Sequence, residues 1–151
     1  MSVTLSICVP TYNRAQHLAD CLRSIRSLTS RSTTTLQVCV SDNGSADDTE
    51  QVVRAAQAEM PIRYRRNPRN LGIPQNFLNV VEMADGDFVW LVGDDDLLMP
   101  HALEAIVSLI EHNPDVDFFY VERMRKGSEV VCGQVKCVDV EKVHVRVVLD
   151  Q

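Results

Sequence analysis

This chain of 151 residues is short of the features that mark several functional classes. Lys and Arg total 15 against 21 Asp and Glu, a net charge of −6, so it lacks the basic footprint that a nucleic-acid surface requires. No apolar run approaches the ~18 residues of a membrane span. The start, Met1-Ser2-Val3-Thr4, lacks the charged opening of a secretory signal. The five cysteines are an odd number without metal-ligand spacing, which points to a reduced, cytoplasmic protein rather than a disulfide scaffold. Cys8, Cys21 and Cys39 fall at apolar positions, where a thiol acts as a small hydrophobe. His17, His101, His112 and His144 form no pair at metal-ligand spacing. No G-x-G-x-x-G follows the first strand and no G-x-x-x-x-G-K-[ST] occurs, so neither a dinucleotide fingerprint nor a P-loop is supported. A G-x-S-x-G elbow is missing too.

What is present suits one globular domain with a substantial core: 45% of residues are apolar and 24% charged. The pattern alternates strand and helix. Val3 to Val9 reads as a strand ended by Pro10, and Leu18, Cys21, Leu22, Ile25 and Leu28 recur on one helix face. Leu36 to Val40 is a second strand. Ser45-Ala46-Asp47-Asp48 then predicts a capping box, with Asp in place of Glu, before a helix carrying Val52, Val53 and Ala56. Pro61 to Arg65 reads as a third strand and Pro74 to Ala84 as a helix. Phe88 to Val92 is an unbroken apolar run, the kind found in the middle of a parallel sheet and buried on both faces. Pro100 suits the first turn of a further helix, with Leu103, Ile106, Leu109 and Ile110 inward and Asn113-Pro114 as its stop. Val116 to Val121 is a predicted fifth strand, and Val130 to Val138 and Val143 to Leu149 are candidate strands beyond it. This order implies an α/β fold with a mostly parallel sheet flanked by helices.

In such sheets ligands bind outside the carboxyl ends of the strands. Those ends carry Pro10-Thr11-Tyr12-Asn13-Arg14, Asp42-Asn43-Gly44-Ser45, Asn67 to Gly72 and Gly93-Asp94-Asp95-Asp96. Burying any of the last three carboxylates unpaired would cost several kcal/mol, so the run must face water or meet a cation. A hard divalent ion with oxygen ligands suits it, and could bridge to a diphosphate in place of a glycine-rich loop. Tyr12 offers an aromatic face for a base, or packs as a turn tyrosine. Asp42 accepts hydrogen bonds from a base or ribose, or closes an Asx-turn with Asn43-Gly44.

Five segments, taken in order, resemble the motifs of family 2 glycosyltransferases. They are Ser6 to Arg14, Val40 to Asp47, Asn70-Leu71-Gly72, Ala84 to Phe88 and Gly93 to Pro100, and the resemblance covers roughly Thr4 to Tyr120. It implies the GT-A nucleotide-diphospho-sugar transferase fold, Mg²⁺ or Mn²⁺, a nucleotide-diphospho-sugar donor, and a glycan or lipid-linked acceptor in bacterial surface polysaccharide or glycan assembly. It also implies a cytoplasmic location, compatible with peripheral association at the inner face of the membrane. By that resemblance Pro10, Thr11 and Tyr12 line the nucleoside pocket, Arg14 belongs to the nucleotide-sugar site, and Asp42 contacts the base. Asp94 and Asp95 match the carboxylates of the D-x-D motif, Asp95 being the candidate metal ligand with Asp96 beside it.

This chain departs from the family where Gly93 replaces a common Asp, which passes the ribose role to Asp94, and where Asn76-Phe77-Leu78 replaces an Ala-Arg-Asn segment. Arg69 or Arg66 is a candidate to supply the missing arginine. The family's catalytic base comes from a distal segment, and none of Glu122, Glu129, Asp139 or Glu141 sits in a matching motif. The expectation is therefore a nucleotide-sugar-binding domain over residues 1–122 and a tail, 123–151, that begins a truncated acceptor region. A truncated, non-catalytic nucleotide-sugar-binding module is the alternative. A receiver-type signalling domain would need an acidic pair after the first strand, where Pro10-Thr11-Tyr12 stands instead.

Overall fold

The computed structural model describes residues 4–29 and 35–116, with the backbone of residues 119–120 and 136–137. The chain divides into two compact units, Met1–Val107 and Ser108–Gln151. The first alternates β1 (Thr4–Thr11), α1 (Ala15–Thr29), β2 (Thr35–Asp42), α2 (Thr49–Gln57), β3 (Ile62–Arg66), α3 (Ile73–Val81) and β4 (Phe88–Leu91), followed by α4 (Ala102–His112). The four strands form a parallel sheet in the order β3-β2-β1-β4. Among the described residues no helix is long and apolar enough to cross a membrane.

Strand alternation divides the core. Ile7, Val9, Val38 and Val40 point to one face, where they meet Leu18, Cys21, Leu22 and Ile25 of α1 and Val53 of α2. Cys8 and Cys39, directly paired across β1 and β2, point to the other face and pack with Val80 and Met83 at the end of α3. Their thiols donate to the carbonyls of Val80 and Met83, so all three described cysteines, Cys21 included, sit buried as the composition implied. Leu5, Leu28 and Leu103 close the amino-terminal end of the sheet together with Phe88 and Trp90. Truncating one of these large core side chains to alanine costs about 2–5 kcal/mol.

Several elements differ from the sequence expectation. The first strand continues through Pro10 to Thr11. Its pairing with β4 ends at Cys8, so Pro10 lies beyond the last β4 partner, where a missing N–H is tolerated. The apolar run at Phe88 forms an edge strand of the described sheet, not its middle. Phe88 and Trp90 turn inward, while Val89 and Leu91 are 42% and 36% exposed. An unbroken apolar run shows only that no polar side chain interrupts the strand; which sides acquire neighbours depends on where later chain returns. The central strands are β1 and β2.

The expected capping box at Ser45 to Asp48 does not form: α2 starts at Thr49, with Asp48 before it making no side-chain cap bond. Ser45 Oγ accepts from the Asn13 N–H, and Asp47 Oδ1 accepts from both the N–H and the hydroxyl of Thr49 at the start of α2. Helix α3 opens at Gly72, whose φ of 85° favours glycine, has Pro74 in its first turn, and ends at Val81 rather than Ala84. Pro100 precedes α4 in a turn closed by the Ala102 N–H on the Met99 carbonyl. Phe119–Tyr120, within the expected fifth strand, pairs antiparallel with Lys136–Cys137. The candidate strand at Val143 to Leu149 lies outside the described residues, as does the rest of Val130 to Val138.

Candidate functional site

The loops after β1 and β2 are fastened to each other before either meets the acidic turn. Asn13 adopts a φ of 51°, a left-handed conformation that Asn tolerates better than most residues. Its side-chain oxygen accepts the Ala46 N–H at 2.7 Å and its own N–H reaches Ser45 Oγ at 2.9 Å. The Ala15 N–H, at the start of α1, donates to Asp47 Oδ2 at 2.9 Å. Burial works to raise the Asp47 carboxyl, but the donors from Thr49 and Ala15 outweigh it and hold the group below its ordinary range. This fixes Tyr12 and Arg14 between two anchored points, with Tyr12 41% exposed.

The acidic run forms a tight turn. The Val92 N–H bonds the Cys8 carbonyl, and the Asp96 N–H then closes on the Gly93 carbonyl at 3.1 Å. Asp96 Oδ2 folds back onto the Gly93 N–H at 3.0 Å. A Cβ at Gly93 would lie 2.9 Å from Asp96 Oδ2 and 3.1 Å from Asp95 Oδ1, so any side chain there would push the carboxylates aside.

The three aspartates consequently diverge. Asp94 turns inward, 7% exposed, and accepts the Thr11 hydroxyl at 2.8 Å. Arg14 Nη1 lies 3.3 Å from both Asp94 Oδ1 and Asp95 Oδ2. Burial raises the Asp94 carboxyl above its ordinary range, and the Asp95 charge adds to this, against the opposing pull of Thr11 and Arg14. Beneath the turn the Cys21 thiol donates to the Gly93 carbonyl; burial, then the charges of Asp96, Asp94 and Asp95, push it up to about 12. It is inert as a nucleophile.

Asp42 is placed differently. It is fully buried: Oδ1 accepts the Ser45 N–H at 2.8 Å and Oδ2 the Tyr64 hydroxyl at 2.8 Å, with Arg66 Nε at 3.7 Å. Burial, then the hydrogen bond and charge of Asp42, push the Tyr64 phenol up, so it stays a donor. Arg66 donates to the Ser45 carbonyl and pairs with Glu50, and so braces this loop. Arg69 contributes backbone: an added Cβ on Gly44, whose φ is 78°, would lie 2.8 Å from the Arg69 carbonyl carbon.

Behind Asp42 lies a cluster of buried amides that sequence reasoning missed. Asn76 donates to the carbonyls of Ser41 and Thr11 and accepts from Ser41 Oγ and Asn67 Nδ2. Asn67 donates also to Asn43, which accepts the Leu71 N–H as well, and Asn79 donates to Asn67. Among the described residues no buried side-chain polar atom lacks a partner. The cluster locks residues 67–72 against the ends of β1 and β2. Its signal was present: Asn76 and Asn79 share the helix face of Val80 and Met83, polar residues at core positions.

A groove of about 430 Å³ opens beside the acidic turn, lined by Asn13, Arg14, Gln16, His17, Asp47 and Asp95. The structure therefore brings together Thr11, Arg14, Asp94 and Asp95, while Asp42 sits in a separate buried cluster and Asp96 closes the turn. Among the described residues no group of three or more His, Cys, Asp or Glu is placed to hold a metal ion. The donor set still fits Mg²⁺ or Mn²⁺, which bind through one or two carboxylates and take their other ligands from phosphates and water. The Asp95 side chain, 44% exposed, is accessible to such an ion.

Comparison with known proteins agrees with this architecture. The profile of Glycosyl transferase family 2 matches residues 6–136. The chain is 35% identical over 129 residues to abequosyltransferase RfbV of Salmonella typhimurium, covering 84% of this chain and 38% of that protein. It is 35% identical over 105 residues to a GalNAc(5)-diNAcBac-PP-undecaprenol beta-1,3-glucosyltransferase of Campylobacter jejuni, covering 68% and 33%. The chain thus spans well under half the length of these relatives. Residues 1–349 of S. aureus TarS in complex with UDP-GlcNAc superpose with a TM-score of 0.68 and 26% identity, over 74% of this chain and 32% of that one. The mannosyltransferase PcManGT of Pyrobaculum calidifontis, solved with GDP-Man and Mn²⁺, shares the fold at a TM-score of 0.62 and 24% identity, over 71% and 32%. The sheet and its flanking helices are those of GT-A transferases.

Proposed function

The chain belongs to glycosyl transferase family 2, and on that premise we propose that it forms the nucleotide-sugar-binding part of an enzyme that passes a sugar from a nucleotide-diphosphate donor to an acceptor hydroxyl. The observation that carries this reading is the convergence of Thr11, Arg14, Asp94 and Asp95 beside an open groove at the carboxyl ends of β1 and β4. Tyr12, Thr11 and Pro10 form the nucleoside wall. Asp94, oriented by Thr11, accepts a ribose hydroxyl, and Arg14 offers a guanidinium fork to the diphosphate. Asp42 is proposed for the base, which it reaches by exchanging its bond from Tyr64. Asp95, with Asp96 behind it, would hold Mg²⁺ or Mn²⁺. Bound there, the ion supplies Lewis-acid neutralisation of the departing diphosphate.

The Campylobacter relative acts on an undecaprenol-linked glycan by its name, which supports a glycan or lipid-linked acceptor and a place at the inner face of the membrane. The donor part corresponds to residues 1–122 and the acceptor part begins in 123–151. Glu122, Glu129, Asp139 and Glu141 lie outside the described residues, and the base that deprotonates the acceptor is not assigned to any of them.

Calorimetric titration with UDP, GDP, CDP and ADP, in Mn²⁺, Mg²⁺ or EDTA, tests the reading. One nucleotide should bind in metal and lose its affinity in EDTA. Asp95→Ala should weaken that binding by at least about 100-fold, the upper end of what losing a mere hydrogen-bond partner of a metal ligand costs. Equal affinity in EDTA would overturn the metal-bridged donor site.

A further inference from the structure

Arg14 stands where an incoming cation must compete with it. One nitrogen, Nη1, lies 3.3 Å from a carboxylate oxygen of Asp94 and 3.3 Å from one of Asp95. Charge-assisted bonds of full strength are about 2.7–2.9 Å long, so this bridge is loose. The side chain is 51% exposed and lines the groove, so it can leave at little cost. Asp94 would keep its position without it, because the Thr11 hydroxyl holds the other oxygen at 2.8 Å.

We propose that Arg14 is the resident counter-ion of the acidic turn: it disfavours a divalent cation arriving alone, and transfers to the diphosphate when cation and nucleotide arrive together. This rests on the reading of the site given above. A cation held by Asp95 puts two positive charges beside the guanidinium, which repels it. A diphosphate reverses the balance, since its oxygens accept from the guanidinium fork while sharing the cation. Arg14 thereby makes the binding of cation and nucleotide cooperative, and by linkage the coupling is the same in both directions.

The test is calorimetry at low ionic strength on wild type, Arg14→Gln and Arg14→Lys, with Mn²⁺ alone and then with UDP or GDP in saturating Mn²⁺, whichever the wild type binds more tightly. Arg14→Gln should bind Mn²⁺ alone about 2- to 5-fold more tightly, the range expected for removing an exposed ion pair. The same variant should bind the nucleotide about 10-fold or more weakly, as a charged hydrogen bond is lost. Arg14→Lys keeps the charge and should take up bare Mn²⁺ like the wild type. Opposite signs for the two ligands are the signature, since a merely structural arginine would weaken both. If Arg14→Gln binds bare Mn²⁺ no more tightly, or the nucleotide no more weakly, the inference is overturned while the functional reading stands. Wild type that takes up Mn²⁺ neither alone nor with nucleotide would overturn both.

Discussion

Asp42 and Asp94 both follow from parallel strands at the same edge of the sheet, yet their surroundings are opposite. Asp42 ends β2, a central strand, so donors reach it from its own turn and from the neighbouring strand: the Ser45 N–H and the Tyr64 hydroxyl on β3. Asp94 lies just past β4, an edge strand of the described sheet, and among the described residues its donors come from the β1 side, Thr11 and the half-exposed Arg14. The difference teaches that strand position, not residue type, separates an aspartate that builds the floor of a site from one poised at its mouth. A carboxylate between two strands has both oxygens engaged by the fold, so a ligand reaches it only by displacing a donor. A carboxylate beyond an edge keeps capacity for a ligand.

The largest effect expected from breaking this contrast is on the central side. Asn76→Ala takes the acceptor from Ser41 Oγ and one partner each from Asn67 Nδ2 and the carbonyls of Thr11 and Ser41, all in a buried region. A loss of about 3–5 kcal/mol should follow, seen as a fall in the urea midpoint with an unchanged slope. A midpoint that does not move would mean that the amide cluster is not the floor of the site. Next in size is Asp42→Ala, which removes the acceptor for both Tyr64 and Ser45 and should cost about 2–3 kcal/mol. Asp42→Asn keeps one carbonyl oxygen and should lose roughly half as much. Equal losses in the two variants would show that charge, rather than the pair of acceptors, matters there. Under the functional reading, Asp42→Ala should also narrow the affinity gap between nucleotides of different base.

The smallest effect lies at the edge and depends on pH. Because the folded-state pKa of Asp94 is raised from its ordinary 3.8, ionising it works against the fold. The stabilisation from its protonated form is fully present below 3.8 and is lost as pH rises through the higher folded value. Asp94→Asn removes the ionisation, and the half-exposed Arg14 contributes little to offset the burial. The variant's urea midpoint, relative to wild type, should therefore be higher at pH 7 than at pH 3. The reverse ordering would show that the ion pair with Arg14 dominates burial. Asp47 and the exposed Asp87, whose pKa values are lowered, run the other way: their contributions are present above 3.8 and are lost on acidification.

Much of this arrangement was legible in the chain itself. The helix face of Leu18, Cys21, Leu22, Ile25 and Leu28 is buried as its spacing required, and the alternation of Ile7, Cys8 and Val9 sorts the two faces of the sheet. The loops that carry polar residues after β1, β2 and β4 lie at one edge because parallel strands all point the same way. The amide cluster was not legible. Asparagine at Asn43, Asn67 and Asn70 reads locally as turn chemistry, and only the closure of loops far apart in sequence makes these side chains each other's partners. Ser45 illustrates the same point: the cap expected there does not form, because α2 starts at Thr49 and the Ser45 hydroxyl accepts the Asn13 N–H across the loop instead.

Between Thr4 and His112 the local pattern was enough to tell strands from helices, since hydrophobic periodicity and the punctuation by Gly, Pro and Asn act over a few residues. It determined too which loops carry carboxylates, because connections in this fold are short and ordered. Only the tertiary structure decided that β4 stands at an edge of the described sheet, that Asp42 is enclosed, and that Arg14 meets Asp94 and Asp95. Burial and hydrogen-bond partnership belong to pairs of residues about eighty positions apart, as Thr11 and Asp94 are. No local pattern encodes such a pair; it exists only once the strands have taken their order.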